Sequence, residues 1–154
     1  MHLFEENIKN LGLNIPELPK ALANYVPYKI VGKTMYISGQ APVQNGELIY
    51  KGKVGSDITI EDGIEAARLC VTNIIAAVKT GLEGDWSKVD SFVKLTGFVN
   101  CLDDFTDQPK IINGASDMLV DIFGDQGRHA RVAVGSNALP LGIAVEIDAI
   151  VQLK

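Results

Sequence analysis

Hydrophobic and polar residues alternate along the C-terminal part of the chain, between Gly142 and Leu153. Side chains on a β-strand point in turn to the two faces of its sheet, so this period of two predicts a strand with one buried face. The face expected to cover the core carries only apolar side chains, namely Ile143, Val145, Ile147, Ala149, Val151 and Leu153. The opposite face carries Ala144, Glu146, Asp148, Ile150 and Gln152.

A shorter strand is predicted just before it, across a loop that contains proline and glycine. Val132 and Val134 form its apolar set, and His129, Arg131 and Ala133 form the other set. If both apolar sets cover the same core, Arg131 and Glu146 emerge together on the opposite face. A slip of one residue in either strand would bury a charge, so the register is strongly specified. We therefore expect a guanidinium and a carboxylate to share a face that is not the main core.

Apolar residues recur at helical spacing in three segments, which predicts three helices. They are Leu3 to Leu11, a long helix from a cap at Ser56 or Thr59 to about Lys79, and a helix from Thr106 or Asp107 to about Phe123. Asn113-Gly114 is unfavourable inside the last of these, so a start near Ala115 is an alternative.

Four further strands are predicted from short apolar runs bounded by turn residues. They are Tyr25–Val31, Thr34–Ser38, Glu47–Tyr50 after the Asn45-Gly46 turn, and the longer Val89–Val99. The order β-β-β-α-β-α-β-β predicts an α+β fold with a mixed six-stranded sheet and two helices on one face, plus the short N-terminal helix. Residues 1–154 are expected to form one domain, in which residues 1–23 are a helical extension with a linker at Pro16 and Pro19.

The sheet face away from the helices is expected to be partly apolar. It should carry Phe92, Phe98 and Ile150 beside Arg131 and Glu146. A half-apolar face on a small domain favours self-association.

Composition narrows the classes of partner. The chain has 154 residues, of which 47% are hydrophobic and 21% charged, and its formal net charge is −5. An acidic chain of this kind is a poor partner for nucleic acid or an anionic membrane. The two cysteines, Cys70 and Cys101, form no C-x-x-C pair, so no metal site is expected. The acidic N-terminal segment lacks the apolar core of a signal peptide, and we expect a cytoplasmic protein.

Several blocks of the sequence together resemble the RidA/YjgF family, also called the endoribonuclease L-PSP or translation-inhibitor family. They are Ser38-Gly39-Gln40, Asn113, Ala130-Arg131, and LPLGIAVEIDAI from Leu139 to Ile150. The resemblance covers the chain from about Tyr28 to its end and is most specific in the last block. The longer N-terminus and the segment before Arg131 are typical of a distinct, longer subgroup.

This resemblance implies a chorismate-mutase-like fold and a homotrimer with active sites in clefts between subunits. It also implies hydrolysis of reactive 2-imino or 2-enamino acids, such as 2-aminoacrylate, to 2-oxo acids and ammonia. No metal or organic cofactor is implied, and the partner is a small carboxylate-bearing ligand.

The family's site residues map onto individual positions of this chain. Arg131 matches the arginine that holds the substrate carboxylate through two parallel hydrogen bonds. Glu146 matches the acid that orients or deprotonates the attacking water, or protonates the leaving nitrogen. The expected substrate-binding residues are Tyr28, Ser38, Gly39, Asn113 and Ala133. Ala133 stands where the family often has cysteine, which matters little if only its backbone is used.

A purely structural role stays open for each of these residues. Arg131 could pair with Glu146 or Asp148 at an interface, and Tyr28 could be a half-buried aromatic with a wet hydroxyl. His129 is expected to be structural or exposed. At the level of function, the alternatives to a deaminase are a non-catalytic small-carboxylate-binding or regulatory protein and, with less support from the charge, an endoribonuclease.

Overall fold

A computed structural model of the chain describes residues 1–18 and 23–154. The helices are α1 (Leu3–Asn10), α2 (Ile60–Gly81) and α3 (Gln108–Phe123). The strands are β1 (Tyr28–Val31), β2 (Thr34–Gln40), β3 (Val43–Gln44), β4 (Glu47–Leu48), β5 (Val89–Asn100), β6 (Ala130–Ser136) and β7 (Val145–Leu153). Short 3₁₀ turns occupy Trp86–Lys88, Gly124–Gly127 and Pro140–Gly142.

One mixed sheet in the order β1-β2-β7-β5-β6 forms the frame of the molecule. The β1–β2, β2–β7 and β7–β5 pairs are antiparallel, and β5–β6 is parallel, with α3 as the crossover between them. Helices α2 and α3 pack against each other, α2 against β2 and β7, and α3 against β5 and β6. The α+β prediction, with both helices on one face of a mixed sheet, is confirmed.

Within the part of the chain that the structure describes, the main sheet has five strands, so the predicted count of six is wrong. The segment predicted as the third strand forms β4, which pairs only with β3 in a separate two-stranded sheet. Asn45 and Gly46, at φ of 52° and 79°, make the tight turn between them. Buried Asn73 of α2 donates to the carbonyls of Ala41 and Val43 at 3.1 Å, which holds this hairpin against the helix.

The predicted alternation in the last strand is confirmed. Residues Val145 to Leu153 are buried at every second position and half-buried at those between, which include Glu146 and Asp148. Strand β5 departs from simple alternation, because its pairing with β7 shifts between Phe92 and Lys94. Such a bulge adds one residue to a strand, so Phe92 and Leu95 both face the core.

The placement of Phe92 on the open face is therefore wrong. Its side chain is 1% exposed, and its ring centroid lies 4.8 Å from that of Phe123 at the end of α3. Phe98 and Ile150 do lie on the open face, half-buried, because they pair with Glu146 and Tyr36 rather than with core positions.

Helix α3 runs through Asn113-Gly114 without a break, so the alternative start near Ala115 is wrong. A Cβ on Gly114 would lie 2.7 Å from the backbone oxygen of Ile64 in α2. The glycine therefore weakens the intrinsic helix propensity but lets the two helix backbones approach each other closely. Tertiary packing outweighs the local preference at this position.

The N-terminal helix packs against the end of α3. His2 caps α1 and forms a capping box with Glu5. The ring of Phe4 lies 4.8 Å from that of Phe123, and the Asn7 side chain donates to the carbonyl of Ile122 at 2.7 Å. Pro16 of the predicted linker lies in irregular chain, whereas Pro19 is outside the described residues.

No helix within residues 1–18 and 23–154 is both long and apolar enough to cross a membrane.

We expect Gly114→Ala to lower the free energy of unfolding by about 1–3 kcal/mol, because the new methyl group meets backbone that cannot move aside. Gly63→Ala is the matched control. Its Cβ would lie 2.8 Å from Cδ1 of Ile111, the flexible end of a side chain. Urea denaturation of both variants measures the difference. A Gly114→Ala protein as stable as the control would show that α2 and α3 do not need this close approach.

Candidate functional site

Arg131 lies on the edge strand β6, on the sheet face that the helices cover. Its Cα pairs with that of Leu95, a fully buried core residue of β5. Nη1 of Arg131 donates to Oδ1 of Asn113 at 2.8 Å and to Oγ of Ser116 at 3.2 Å. Asn113 and Ser116 are one helical turn apart on α3, so both side chains lean the same way toward β6. The helix thereby holds one end of the guanidinium.

The prediction that Arg131 and Glu146 share a face is wrong. Phe98 of β5 pairs with Glu146 on one side and with Val134 on the other, so these three residues point together to the open face. Val132 and Val134 are 39% and 40% exposed there. The prediction assumed that the valines cover the core. In an edge strand the helix side can instead be filled by polar groups of α3, which turns the valines outward.

His129 and Ser116 extend the contacts of Arg131 into a chain of hydrogen bonds. Oγ of Ser116 lies 2.9 Å from Nε2 of His129, and Nδ1 of His129 lies 2.7 Å from the carbonyl oxygen of Gly127. A carbonyl only accepts, so Nδ1 carries the proton and Nε2 accepts from the serine hydroxyl. The chain thus runs from Arg131 through Ser116 and His129 to Gly127.

The electrostatics of this chain favour a neutral imidazole. Burial lowers the pKa of His129, and the positive charge of Arg131 adds to that effect, against the opposing hydrogen bond to Gly127. We call Arg131, Asn113, Ser116 and His129 the Arg131 half-site. Sequence reasoning missed Ser116 and treated His129 as structural or exposed. The helical spacing of Asn113 and Ser116 was the available signal.

Glu146 lies on the open face of β7, half-buried. A Cβ on Gly39 would lie 2.9 Å from Oε1 of Glu146, so only glycine leaves room for the carboxylate in its present position. Burial raises the pKa of Glu146, and the negative charge of Asp148 raises it further. In residues 1–18 and 23–154 no group hydrogen-bonds or ion-pairs with this carboxylate. We call Glu146 and Gly39 the Glu146 half-site.

The remaining predicted residues lie elsewhere in the single chain. Tyr28 is on β1, the opposite edge strand from β6, and its ring packs beside Met35 and Gly81. Four strand spacings, about 19 Å, separate the two edges. Tyr28 therefore does not reach Arg131 in the same chain.

Ser38 is held by hydrogen bonds to the backbone, whereas Ala133 packs against the core. Oγ of Ser38 donates to the carbonyl of Val26 at 2.6 Å, and its backbone nitrogen donates to Pro27, so its hydroxyl fastens the segment before β1. Ala133 follows two residues after Arg131 on the same face of β6 and packs partly buried against the core. Of the predicted residues, Asn113 is the one that contacts Arg131.

The two half-sites cannot act on one small molecule within a single chain. Strands β6 and β7 flank β5, so they are about 9–10 Å apart, and Arg131 and Glu146 point to opposite faces. Two cavities among the described residues, of about 410 and 380 Å³, are lined by other residues and include neither half-site. A site that uses both half-sites requires a second copy of the chain.

The described residues hold no group of three or more His, Cys, Asp or Glu side chains placed to bind a metal ion. The Arg131 half-site instead offers a guanidinium, an amide, a hydroxyl and an imidazole, and the Glu146 half-site offers a carboxylate. These groups suit the binding of an anion and proton transfer.

A family model and a known protein both match most of this chain. A family model described as "YjgF/chorismate mutase-like, putative endoribonuclease" matches residues 5–152. The chain is 40% identical over 149 residues to Protein TCP17 of Trypanosoma cruzi, which covers 96% of this chain and 92% of that protein.

Solved structures are similar to this one. A protein of unknown function from Agrobacterium tumefaciens superposes with a TM-score of 0.93 at 43% identity, over 99% of this chain and 93% of that one. The structure of E. coli TdcF with bound serine superposes with a TM-score of 0.63 at 27% identity, over 88% of this chain and 93% of that one.

We expect the stability of Glu146→Gln, relative to the unchanged protein, to increase as pH rises from about 4 to 7. A raised pKa in the folded state means that Glu146 contributes stability below its unfolded pKa and loses it as pH rises through the folded pKa. Glutamine does not titrate and escapes that loss. Asp148→Asn, which removes the second cause of the raised pKa, should shrink the effect. Urea denaturation across this pH range measures it, and a constant difference between the proteins would contradict it.

Proposed function

We propose, from the premise that this chain belongs to the YjgF/chorismate-mutase-like family, that it is an imine deaminase. It hydrolyses small 2-imino or 2-enamino acids of the 2-aminoacrylate kind to 2-oxo acids and ammonia, in clefts between the subunits of a homotrimer. The observation that carries the proposal is the pair of half-sites. A guanidinium held by α3 lies on the helix-covered side of the sheet, and a carboxylate without a partner among the described residues lies on its open side.

Arg131 is the proposed anchor for the substrate carboxylate. An arginine has five N–H donors in a planar fork, and Nη1 uses its two on Asn113 and Ser116. Nε and Nη2 remain to take both oxygens of a carboxylate in parallel. The serine bound to TdcF, a relative at 27% identity, is a small molecule with such a carboxylate.

Glu146 is the proposed proton carrier. Water adds to the carbon of the protonated imine and gives a proton to the Glu146 carboxylate, which leaves a neutral carbinolamine. Glu146 then returns that proton to the carbinolamine nitrogen, and the carbon–nitrogen bond breaks to release ammonia. As the carbonyl forms, its hydroxyl proton passes to the Glu146 carboxylate and from there to the departing ammonia, which leaves as ammonium. Burial keeps the pKa of Glu146 raised, which brings the group nearer to neutral pH and suits it to both steps. Water and proton transfer suffice for this reaction, so we propose no cofactor.

A second copy of the chain supplies the missing half of each cleft in this proposal. The open sheet face exposes apolar side chains that the helices do not cover, among them Tyr36, Val132 and Val134. Packing this face against other copies buries that surface and brings the Glu146 half-site of one copy toward the Arg131 half-site of another. The trimeric state itself comes from the family resemblance.

The other predicted residues take supporting roles. Tyr28 reaches the cleft from a neighbouring copy, where its ring packs on the substrate or its hydroxyl donates to it. Asn113 holds Arg131 through its Oδ1 and bonds the substrate through its amide nitrogen. Ser38 shapes the strand end, and the backbone at Gly39 and Ala133 approaches the ligand. We place the reaction in the cytoplasm, as the sequence predicts.

A second candidate function is a small-carboxylate-binding or regulatory protein without catalysis. The observation in its favour is that the Arg131 half-site is assembled within one chain and needs no Glu146. A Glu146→Gln variant with full affinity for a 2-oxo acid, in a protein without imine hydrolysis, would favour it. An endoribonuclease, named in the family description, is opposed by the net charge of −5.

Arg131→Ala should lower kcat/KM for 2-aminoacrylate, generated in situ, by about 30- to 3,000-fold, the effect of truncating one partner of a charge-assisted pair. Arg131→Lys is the control, since it keeps the charge but loses the fork. Turnover is followed as 2-oxo acid formation, with the assembly checked by analytical ultracentrifugation. Unchanged turnover in assembled Arg131→Ala protein would reject the role of Arg131.

The shared cleft has a test of its own. Arg131→Ala and Glu146→Gln should each retain only a few per cent of the activity or less, yet a mixture of the two refolded together should regain up to about a quarter of the unchanged activity. Random mixing places an intact Arg131 beside an intact Glu146 of the neighbour in about that fraction of clefts. A mixture as inactive as its components would show that both residues act from one chain or that the copies do not share a site.

A further inference from the structure

Both hydrogens of Arg131 Nη1 have partners on α3, whereas Nε and Nη2 have none among the described residues. Asn113 accepts at 2.8 Å and Ser116 at 3.2 Å. A guanidinium is planar, so two bonds at one nitrogen fix the direction of the opposite edge as well. The contact therefore selects which edge of Arg131 is offered to a ligand.

Ser116 can hold Nη1 only while its own proton points elsewhere. A hydroxyl has one proton and two lone pairs, and here the proton is donated to Nε2 of His129 at 2.9 Å. Without that acceptor, a serine inside a helix commonly turns its hydroxyl to the carbonyl four residues back, which is that of Ile112. The oxygen would then move away from Nη1.

His129 is in turn fixed by a rigid piece of backbone. Its Nδ1 donates at 2.7 Å to the carbonyl of Gly127. A Cβ on Gly127 would lie 2.2 Å from the backbone oxygen of Leu119, so this glycine lies directly against α3. The Gly127 carbonyl, which sets the tautomer of His129, is therefore packed rigidly against α3, the helix that carries Ser116.

We propose that Ser116 and His129 are positioning residues that hold Arg131 by Nη1 and present its Nε/Nη2 edge to the carboxylate of the ligand. The inference rests on the proposed function of Arg131 as a carboxylate anchor and extends it to two residues that the family resemblance did not include. Neither residue touches the ligand. Their effect passes through the orientation of the guanidinium.

The groups around His129 favour one direction of donation in the series of hydrogen bonds from Arg131 through Ser116 and His129 to Gly127. Arg131, at the start of the strand that follows His129, is positive; α3 offers the uncharged Ser116 and Asn113, and the Gly127 segment offers a carbonyl. Burial and the nearby Arg131 keep the pKa of His129 below its ordinary value, so the imidazole stays neutral at neutral pH and Nε2 stays an acceptor.

Calorimetric titration with 2-oxobutyrate, a 2-oxo acid of the proposed product class, tests the inference on the assembled protein. Ser116→Ala should weaken binding about tenfold, the effect of losing a hydrogen bond to a charged group, while Ser116→Thr keeps the hydroxyl and should restore it. Ser136→Ala is the matched control, because Oγ of Ser136 bonds only the nearby Ala138 carbonyl at the end of the same strand. It should bind as the unchanged protein does.

A double-mutant comparison separates positioning from a general structural effect. With Arg131→Lys, which has no planar fork to orient, the additional change Ser116→Ala or His129→Ala should alter affinity less than twofold. An equal loss in both backgrounds would overturn the proposal, and so would tight binding by Ser116→Ala alone. Thermal unfolding of every variant excludes loss of fold as the cause.

Absence of 2-oxobutyrate binding by the unchanged protein would count against the proposed function, and the positioning chain would then be judged without ligand. In that case ¹⁵N spectra of the Arg131 side chain decide. Separate, slowly exchanging Nη signals that merge in Ser116→Ala support the held guanidinium. Signals already merged in the unchanged protein overturn it.

Discussion

The pairing of β5 with β6 on one side and with β7 on the other determines where the side chains of the candidate site point. Each residue of β5 sets the orientation of a partner in both neighbours. Leu95 faces the helices and turns Arg131 toward α3, while Phe98 faces away and turns Val134 and Glu146 outward. A shift of one residue would place Glu146 in the core, which the buried apolar neighbours of β7 oppose.

The packing of α2 on α3 positions the polar side chains of α3 next to Arg131 on the sheet. Close approach of the two backbones at Gly114 sets the depth and rotation of α3. That rotation leaves Asn113 and Ser116 within hydrogen-bonding distance of β6. The residues that stabilise the fold and those that orient the guanidinium therefore occupy neighbouring positions of one helix. We therefore expect changes in the packing of α2 on α3 to alter the orientation of the Arg131 guanidinium.

Each half-site is chemically incomplete, and in opposite ways. Among residues 1–18 and 23–154, Arg131 has polar partners on one nitrogen and none on the other two, and the half-buried Glu146 carboxylate has no cation beside it. A carboxylate with a raised pKa and a guanidinium with unused donors are each more favourably placed when an opposite charge approaches. In the assembly that we propose, ligand and neighbouring copy supply those charges together. The apolar open face supplies the contact that brings the copies together.

The sequence by itself determined the α+β class, the three helices, the half-buried last strand and the family, because these follow from periods, turn residues and blocks that are local in the chain. It also pointed to Arg131, Asn113 and Glu146 as residues to examine. The tertiary structure alone decided that β4 leaves the main sheet, that Phe92 enters the core, and that Arg131 and Glu146 lie on opposite faces. Alternation along a strand divides its side chains into two sets, but only the neighbours packed on each side decide which set is buried. For the edge strand β6 that neighbour is α3, whose Ser116 bonds both Arg131 and His129. No local pattern in the sequence encodes these two contacts.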